Sequence, residues 1–292
     1  MTHSTPFINK AACLSYLMSR QTPDGGFCYY RAYGVEESNG KDTYSAVAGL
    51  LSLQAPIPDL DKLLAWLHRL QNNQGGYSSF SMGWFALETL RLLNTEPLQN
   101  PDTFLKTEHD RFLSLDWRVR TIEWSSLLLR LSRLSTLMHQ WEFMSSPEFR
   151  CEISILIDFL QGNHGGYGNP VENLLDTYRA AIIVDCLTLE QPAGMLEFME
   201  LCSDEVFGFR LVPAGSANSL AAVHAGIGLF HLCGAVMPRE RIATIWNYIA
   251  SCQTMTGGFG RTPGAIATLA DTWLALDCLQ HLPEDQTAIH LV

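Results

Sequence analysis

The chain is poor in positive charge. Its 19 Lys and Arg face 30 Asp and Glu, for a formal net charge of -11, and the isoelectric point lies near 5.2. Nucleic acid needs a basic stripe to neutralise its phosphates, and none is written here. No run of Lys and Arg suggests an anionic membrane surface. No stretch of 18 apolar residues occurs, so no membrane span is expected, and Met1 to Lys10 lacks the apolar run of a leader peptide. The eight cysteines are scattered, with no Cys-x-x-Cys among them. In a chain this long they read as small core residues in a reducing, cytoplasmic setting rather than as a disulfide framework. Strand-type alternation is nearly absent; apolar residues recur at helical spacing throughout.

What is present is repetition. Gln21 leads to Gly25-Gly26-Phe27, Gln71 to Gly75-Gly76-Tyr77, Gln161 to Gly165-Gly166-Tyr167 and Gln253 to Gly257-Gly258-Phe259. The step from Gln to the first Gly is four residues in every copy. Three copies continue into an Asp-Thr-aromatic triplet that opens an apolar helix: Asp42-Thr43-Tyr44, Asp176-Thr177-Tyr178 and Asp271-Thr272-Trp273. Self-similarity at this period signals a repeat architecture. A single repeat cannot bury its own apolar face, so residues 1–292 are expected to form one domain.

Six units can be drawn, each an outer helix, a glycine turn and an inner helix. The turn aromatics stand at Phe27, Tyr77, Tyr167, Phe209 and Phe259. Their spacing leaves one double-length interval, which holds a third unit without Gly-Gly and an inner helix from about Arg120 to Leu137. The fifth unit substitutes Phe207-Gly208-Phe209 for the turn. Six hairpins that close on themselves give an all-α, α/α toroid: six inner helices inside six outer ones.

The Gln-x-x-x-Gly-Gly-Phe/Tyr turn followed by Asp-Thr-Tyr resembles the repeat shared by terpenoid cyclases and the β subunits of protein prenyltransferases. The likeness covers essentially the whole chain. It implies the toroid fold, whereas function lives in sites grafted on folds. In the zinc-bearing relatives, Asp and Cys two apart at an inner-helix start hold the metal with a later His. Here no Cys stands two after Asp42, Asp176 or Asp271, and His224 precedes the last of them. The resemblance therefore carries over no zinc site and no cofactor. The Asp-x-Asp-Asp of protonating cyclases is missing as well; Asp59-Leu60-Asp61-Lys62 is the nearest string and opens an outer helix.

Superposed on their starts, the inner helices read Tyr44, Trp84, Trp124, Tyr178, Val223 and Trp273 at the third position. In the resembled family that position points inward, which implies an aromatic belt able to shield a cation. Large aromatics also simply fill cores. The first position holds Asp42, Asp176 and Asp271. Each is a natural helix cap, or, if desolvated at the axis, an acid. In a closed ring Asp42 and Asp271 belong to neighbouring units and could share a proton. Asp185 and Asp277 sit deeper in their helices. His224 reads as a core histidine or a base. Arg130, Arg133 and Arg179 are the best inner-helix arginines. The favoured expectation is a cyclase or isomerase acting without metal on an apolar, isoprenoid-derived small molecule. Its catalytic groups would be Asp271, Asp42, Asp176 and His224, and Tyr44, Trp84, Trp124, Tyr178, Trp273 and Arg179 would bind substrate. A zinc-less prenyltransferase would instead bind diphosphate near Arg179 or Arg130. A non-catalytic barrel would have capped carboxylates and a filled axis.

Overall fold

A computed structural model describes residues 7–30, 34, 36–118 and 122–282. Among them twelve helices alternate between an outer and an inner layer. The outer set is α1 (Lys10–Met18), α3 (Leu60–Arg69), α5 (Asp102–Leu113), α7 (Pro147–Leu160), α9 (Met195–Leu201) and α11 (Arg239–Ser251). The inner set is α2 (Gly40–Ser52), α4 (Phe80–Leu92), α6 (Trp124–Gln140), α8 (Leu174–Cys186), α10 (Leu220–Leu232) and α12 (Leu269–Gln280). Each inner helix packs on the next, from α2 through α4, α6, α8 and α10 to α12, and α12 packs back on α2. The ring is closed. Two short antiparallel ribbons, β1 (Ser203–Asp204) with β2 (Gly208–Phe209) and β3 (Phe259–Gly260) with β4 (Ala267–Thr268), replace plain turns in units five and six.

Inner helices begin where a short polar side chain caps them. Asn39, Ser79, Asn173, Ser219 and Thr268 each accept the N–H of the third helical residue, satisfying a donor that the helix itself cannot. Their sequences bury side chains on more than one face. In α10, Leu220, Val223, Ile227, Leu229 and Phe230 all leave water, as a helix between a ring axis and an outer layer must.

The repeated glutamine is a staple between units. Gln21 Nε2 donates to Gly25 O at 2.9 Å and to Pro58 O of the next unit at 2.7 Å. Gln71 repeats the pattern on Gly75 and Gln99, and Gln161 Nε2 donates to Ala193 O. Gln253 closes the ring, holding both the N–H and the carbonyl of Asn9. The repeated threonine does a second job. The Oγ1 atoms of Thr43, Thr177 and Thr272, all fully buried, accept the N–H of Phe27, Tyr167 and Phe259 at 2.9–3.0 Å. Each fixes the turn aromatic over the start of its own inner helix. The first glycine is required where the staple crosses. Gly257 has φ +92°, and a Cβ there would lie 2.2 Å from Ala12 O.

The third inner helix differs from expectation. It starts at Trp124 and runs to Gln140, while Arg120 lies outside the described residues. Its N-cap is Glu123, which accepts from Ser126 N.

Candidate functional site

Counting from the observed caps resets the register of the inner wall. The fifth helical position holds Tyr44, Trp84, Tyr178, His224 and Trp273, each five residues after its cap. Val223 is one residue out of step and fully buried; His224 takes the wall position. Trp124 is the first residue of α6 and packs against Phe159 of outer helix α7 at 5.6 Å, away from the axis.

The five wall side chains touch in order around the ring. Trp84 meets Tyr44 at 5.2 Å between ring centroids, Tyr44 meets Trp273 at 5.2 Å, Trp273 meets His224 at 5.7 Å, and His224 meets Tyr178 at 5.7 Å. Their tilted and edge-on geometries are those aromatic pairs favour. The arc is open only at α6. There the Arg133 guanidinium lies 4.4 Å from the Trp84 ring centre and 4.9 Å from that of Phe85. Trp84, Arg133, Tyr178, His224 and Trp273 all remain partly accessible. Each of these wall side chains thus keeps some contact with solvent.

The carboxylates divide into caps and one wall group. Asp42 Oδ2 accepts from Asn39 Nδ2 and from Tyr29 N, both at 2.8 Å. Asp176 is buried and accepts from Asn173, Ser125 and Arg179 at 2.7–2.8 Å. Asp271 accepts from Thr268 Oγ1 at 2.6 Å. These three hold helix starts, and Asp42 and Asp271 make the bonds described for them within their own units. Arg179 is spent partly on Asp176 and Ser125. Arg130 leaves the wall altogether, pairing with Glu108 of α5 and lying over Phe80. Asp185 is exposed at the end of α8.

Asp277 is the wall carboxylate. It stands one turn below Trp273 on α12, and its Oδ2 lies 2.9 Å from His224 Nε2 across the α10–α12 junction. It also lines a recess of about 290 Å³ with Tyr44, Ala48, Arg91, Trp273 and Gln280, opening toward the C-terminal ends of α2, α4 and α12. At the same level of α4, Glu88 is 3 % exposed. Its Oε2 accepts from Arg91 at 3.1 Å. Burial pushes its carboxyl up, against the pull of Arg91. The Gln140 carboxamide lies against it, and both Oε1 atoms are buried without a donor. Tyr44 and Tyr178 are pushed up by burial and by neighbouring acids, so both hydroxyls stay protonated. Among the described residues no three His, Cys, Asp or Glu come close enough to hold a metal ion, and no helix is long and apolar enough to cross a membrane.

The family model of the prenyltransferase alpha-alpha toroid domain matches residues 1–79 and 78–291. The chain belongs to that family. The toroid is 30 % identical over 132 residues to the protein farnesyltransferase β subunit of Arabidopsis thaliana, covering 41 % of this chain but 27 % of that protein; the match thus spans about a quarter of the relative's length. Among solved structures it is similar to the type II terpene cyclase MstE from Scytonema, solved with geranylgeranyl dihydroxybenzoate as substrate. That match has a TM-score of 0.57 at 13 % identity and covers 93 % of this chain and 95 % of the other. The same cyclase with merosterolic acid A as product gives 0.51 at 14 % identity over 93 % and 95 %. A protein from Actinoplanes gives 0.53 at 16 % identity over 94 % and 99 %. These likenesses establish the toroid.

Sequence reasoning missed Glu88, and it missed His224 as the fifth ring of the toroid's wall. A signal for the second was present. Ser219 stands five residues before His224, as Asn39 stands five before Tyr44. Counting from caps instead of from Asp-Thr would have found it.

Proposed function

We propose that the toroid is a cyclase-like enzyme, taking an apolar, isoprenoid-derived molecule against its axial wall and moving a proton with the Asp277–His224 pair. The observation that carries this reading is the placement of that pair. It is set into an unbroken arc of aromatic rings, and Asp277 lines an open recess. A proton delivered to an alkene or epoxide leaves a cationic carbon. The ring faces of Tyr44, Trp273 and Tyr178 stabilise it by roughly 0.5–2 kcal/mol each, with more in a dry site. An internal double bond closes on the cation, and loss of a proton to the pair restores it and leaves an isomer of the substrate. The step uses no metal.

The test is incubation with linear C10–C20 isoprenoid alkenes, alcohols and epoxides in D2O. The expected product is an isomer of the substrate, carrying one deuterium in place of one hydrogen when the proton goes to an alkene carbon; its yield is unchanged by EDTA, and Asp277→Asn lowers turnover about 10²- to 10⁴-fold. An isomer formed equally well by the Asn variant would overturn the assignment of the pair.

A second reading has its own support. Arg133 already lies on the Trp84 face, and Asp42, Asp176 and Asp271 are bonded as caps. A barrel that binds an apolar ligand without transforming it would keep its affinity in Asp277→Asn and give no product from any substrate.

A further inference from the structure

Arg133 has no hydrogen-bond or ion-pair partner among the described residues, although its neighbours on α6 and α8 do. Arg130 is bonded to Glu108, and Arg179 to Asp176 and Ser125. Arg133 lies over only the rings of Trp84 and Phe85, which leaves its five N–H donors without an oxygen acceptor. Burial and the Arg179 charge bring its pKa down to about 10, with the Tyr44 phenol pulling the other way. Leaving a partly buried cation unpaired is destabilising, and proteins keep such groups where a ligand supplies the counter-charge.

We propose that Arg133 is the seat of a mono-anionic head, a carboxylate, on an otherwise apolar ligand whose body lies along Tyr44, Trp273 and Tyr178. The inference rests on the reading that the axis takes an apolar molecule and adds which end of that molecule faces α6. Charge balance selects the head. The charged groups facing the site are Arg133 on α6, Arg179 paired with Asp176 on α8, His224 with Asp277 between α10 and α12, and Arg91 with Glu88 on α4. Of these, Arg133 alone has no acidic partner among the described residues, so the unmatched group carries one positive charge. A planar carboxylate meets one guanidinium in a two-bond fork, whereas a diphosphate brings more negative charge than this wall can match. The Nη1 of Arg179 is committed to Ser125 and Asp176.

The experiment is equilibrium binding, read by intrinsic tryptophan fluorescence, of three probes with one C15 isoprenoid tail: the carboxylic acid, the alcohol and the diphosphate. Binding is measured on the wild-type chain and on Arg133→Met, which keeps the volume and removes the charge. The acid is expected to bind the wild type at least tenfold more tightly than the alcohol or the diphosphate. In Arg133→Met that advantage should disappear while the alcohol's affinity stays within threefold. The variant's thermal midpoint should match or exceed the wild type's, because an unpaired charge has been removed. Equal affinities for acid and alcohol, a preference for the diphosphate, or an acid preference that survives in Arg133→Met would overturn the inference and leave the apolar-axis reading standing. Failure of all three probes to bind would overturn both.

Discussion

The seams between units and the wall around the axis belong to the same ring of twelve helices, yet they treat polar groups in opposite ways. At the seams every repeated polar residue is bonded. Gln253 holds Gly257 and Asn9, Thr272 holds Phe259, and Thr268 holds Asp271. On the wall, one or two turns further along, polar groups are left partly unanswered. Arg133 has only ring faces, one oxygen of Glu88 lacks a donor, and the Tyr44 and Tyr178 hydroxyls have no partner among the described residues. The repeated Gln, Gly and Thr make the ring, while its centre is faced by the repeated aromatics together with side chains that occur once, Arg133, His224 and Asp277.

If that division holds, seam variants lose stability and wall variants do not. The largest loss is expected from Gly257→Ala. It combines a left-handed backbone with overlap on Ala12 and should lower the unfolding free energy by about 3 kcal/mol in urea titration. Thr177→Val keeps the shape but strips the acceptor from the buried Tyr167 N–H, for a loss of about 1–3 kcal/mol. Asp271→Asn retains an acceptor for Thr268 and gives up only charge at a helix start. A loss of about 0.5 kcal/mol is expected, with turnover unchanged; a large fall in turnover would move Asp271 from seam to wall.

The wall variant Glu88→Gln should act through pH. The folded chain holds this carboxyl's proton more tightly than the unfolded chain does, because burial raises it above its ordinary value of 4.5. That contribution to stability is complete below pH 4.5 and is lost as pH rises through the raised folded value. The wild type should therefore lose stability over that window relative to Glu88→Gln, measured as the difference in urea midpoints from pH 4.5 to 8. Parallel pH profiles for the two chains would mean that Glu88 is ionised in the folded state.

The legibility of the sequence follows the same line. The six-hairpin toroid could be read because Gln, Gly-Gly and Asp-Thr recur at fixed steps, and each step is a hydrogen bond between fixed backbone positions. Tyr44, Tyr178 and Trp273 could be placed on the wall because Asp-Thr precedes them. His224 could not, since Ala222-Val223 replaces Asp-Thr and only the Ser219 cap keeps the count. Trp124 was misplaced because α6 starts on a different cap, so its aromatic sits at the first turn and faces α7. Whether Asp271 caps its helix or serves the axis could not be read from the sequence, for a physical reason. A carboxylate three residues past a cap looks the same in sequence whether it faces the helix start or the axis. Arg133 and Glu88 gain their meaning from what does not touch them, and a sequence does not list missing partners.

The glutamine staples also set the order in which the ring assembles. Three of them join residues 37, 28 and 32 positions apart, while the fourth joins Gln253 to Asn9 across 244. In an unfolded chain, closing the long loop costs about 2 kcal/mol more than closing one of the short ones. Folding should therefore proceed by stacking neighbouring hairpins into an open crescent, with the last hairpin meeting the first at the end. The junction of α12 with α1 and α2 is then the one through which the crescent reopens. Amide hydrogens of Asn9, Gly257 and Phe259 should exchange with solvent before their counterparts at the Gln71 and Gln161 staples, and a ligand bound at the axis should slow them most.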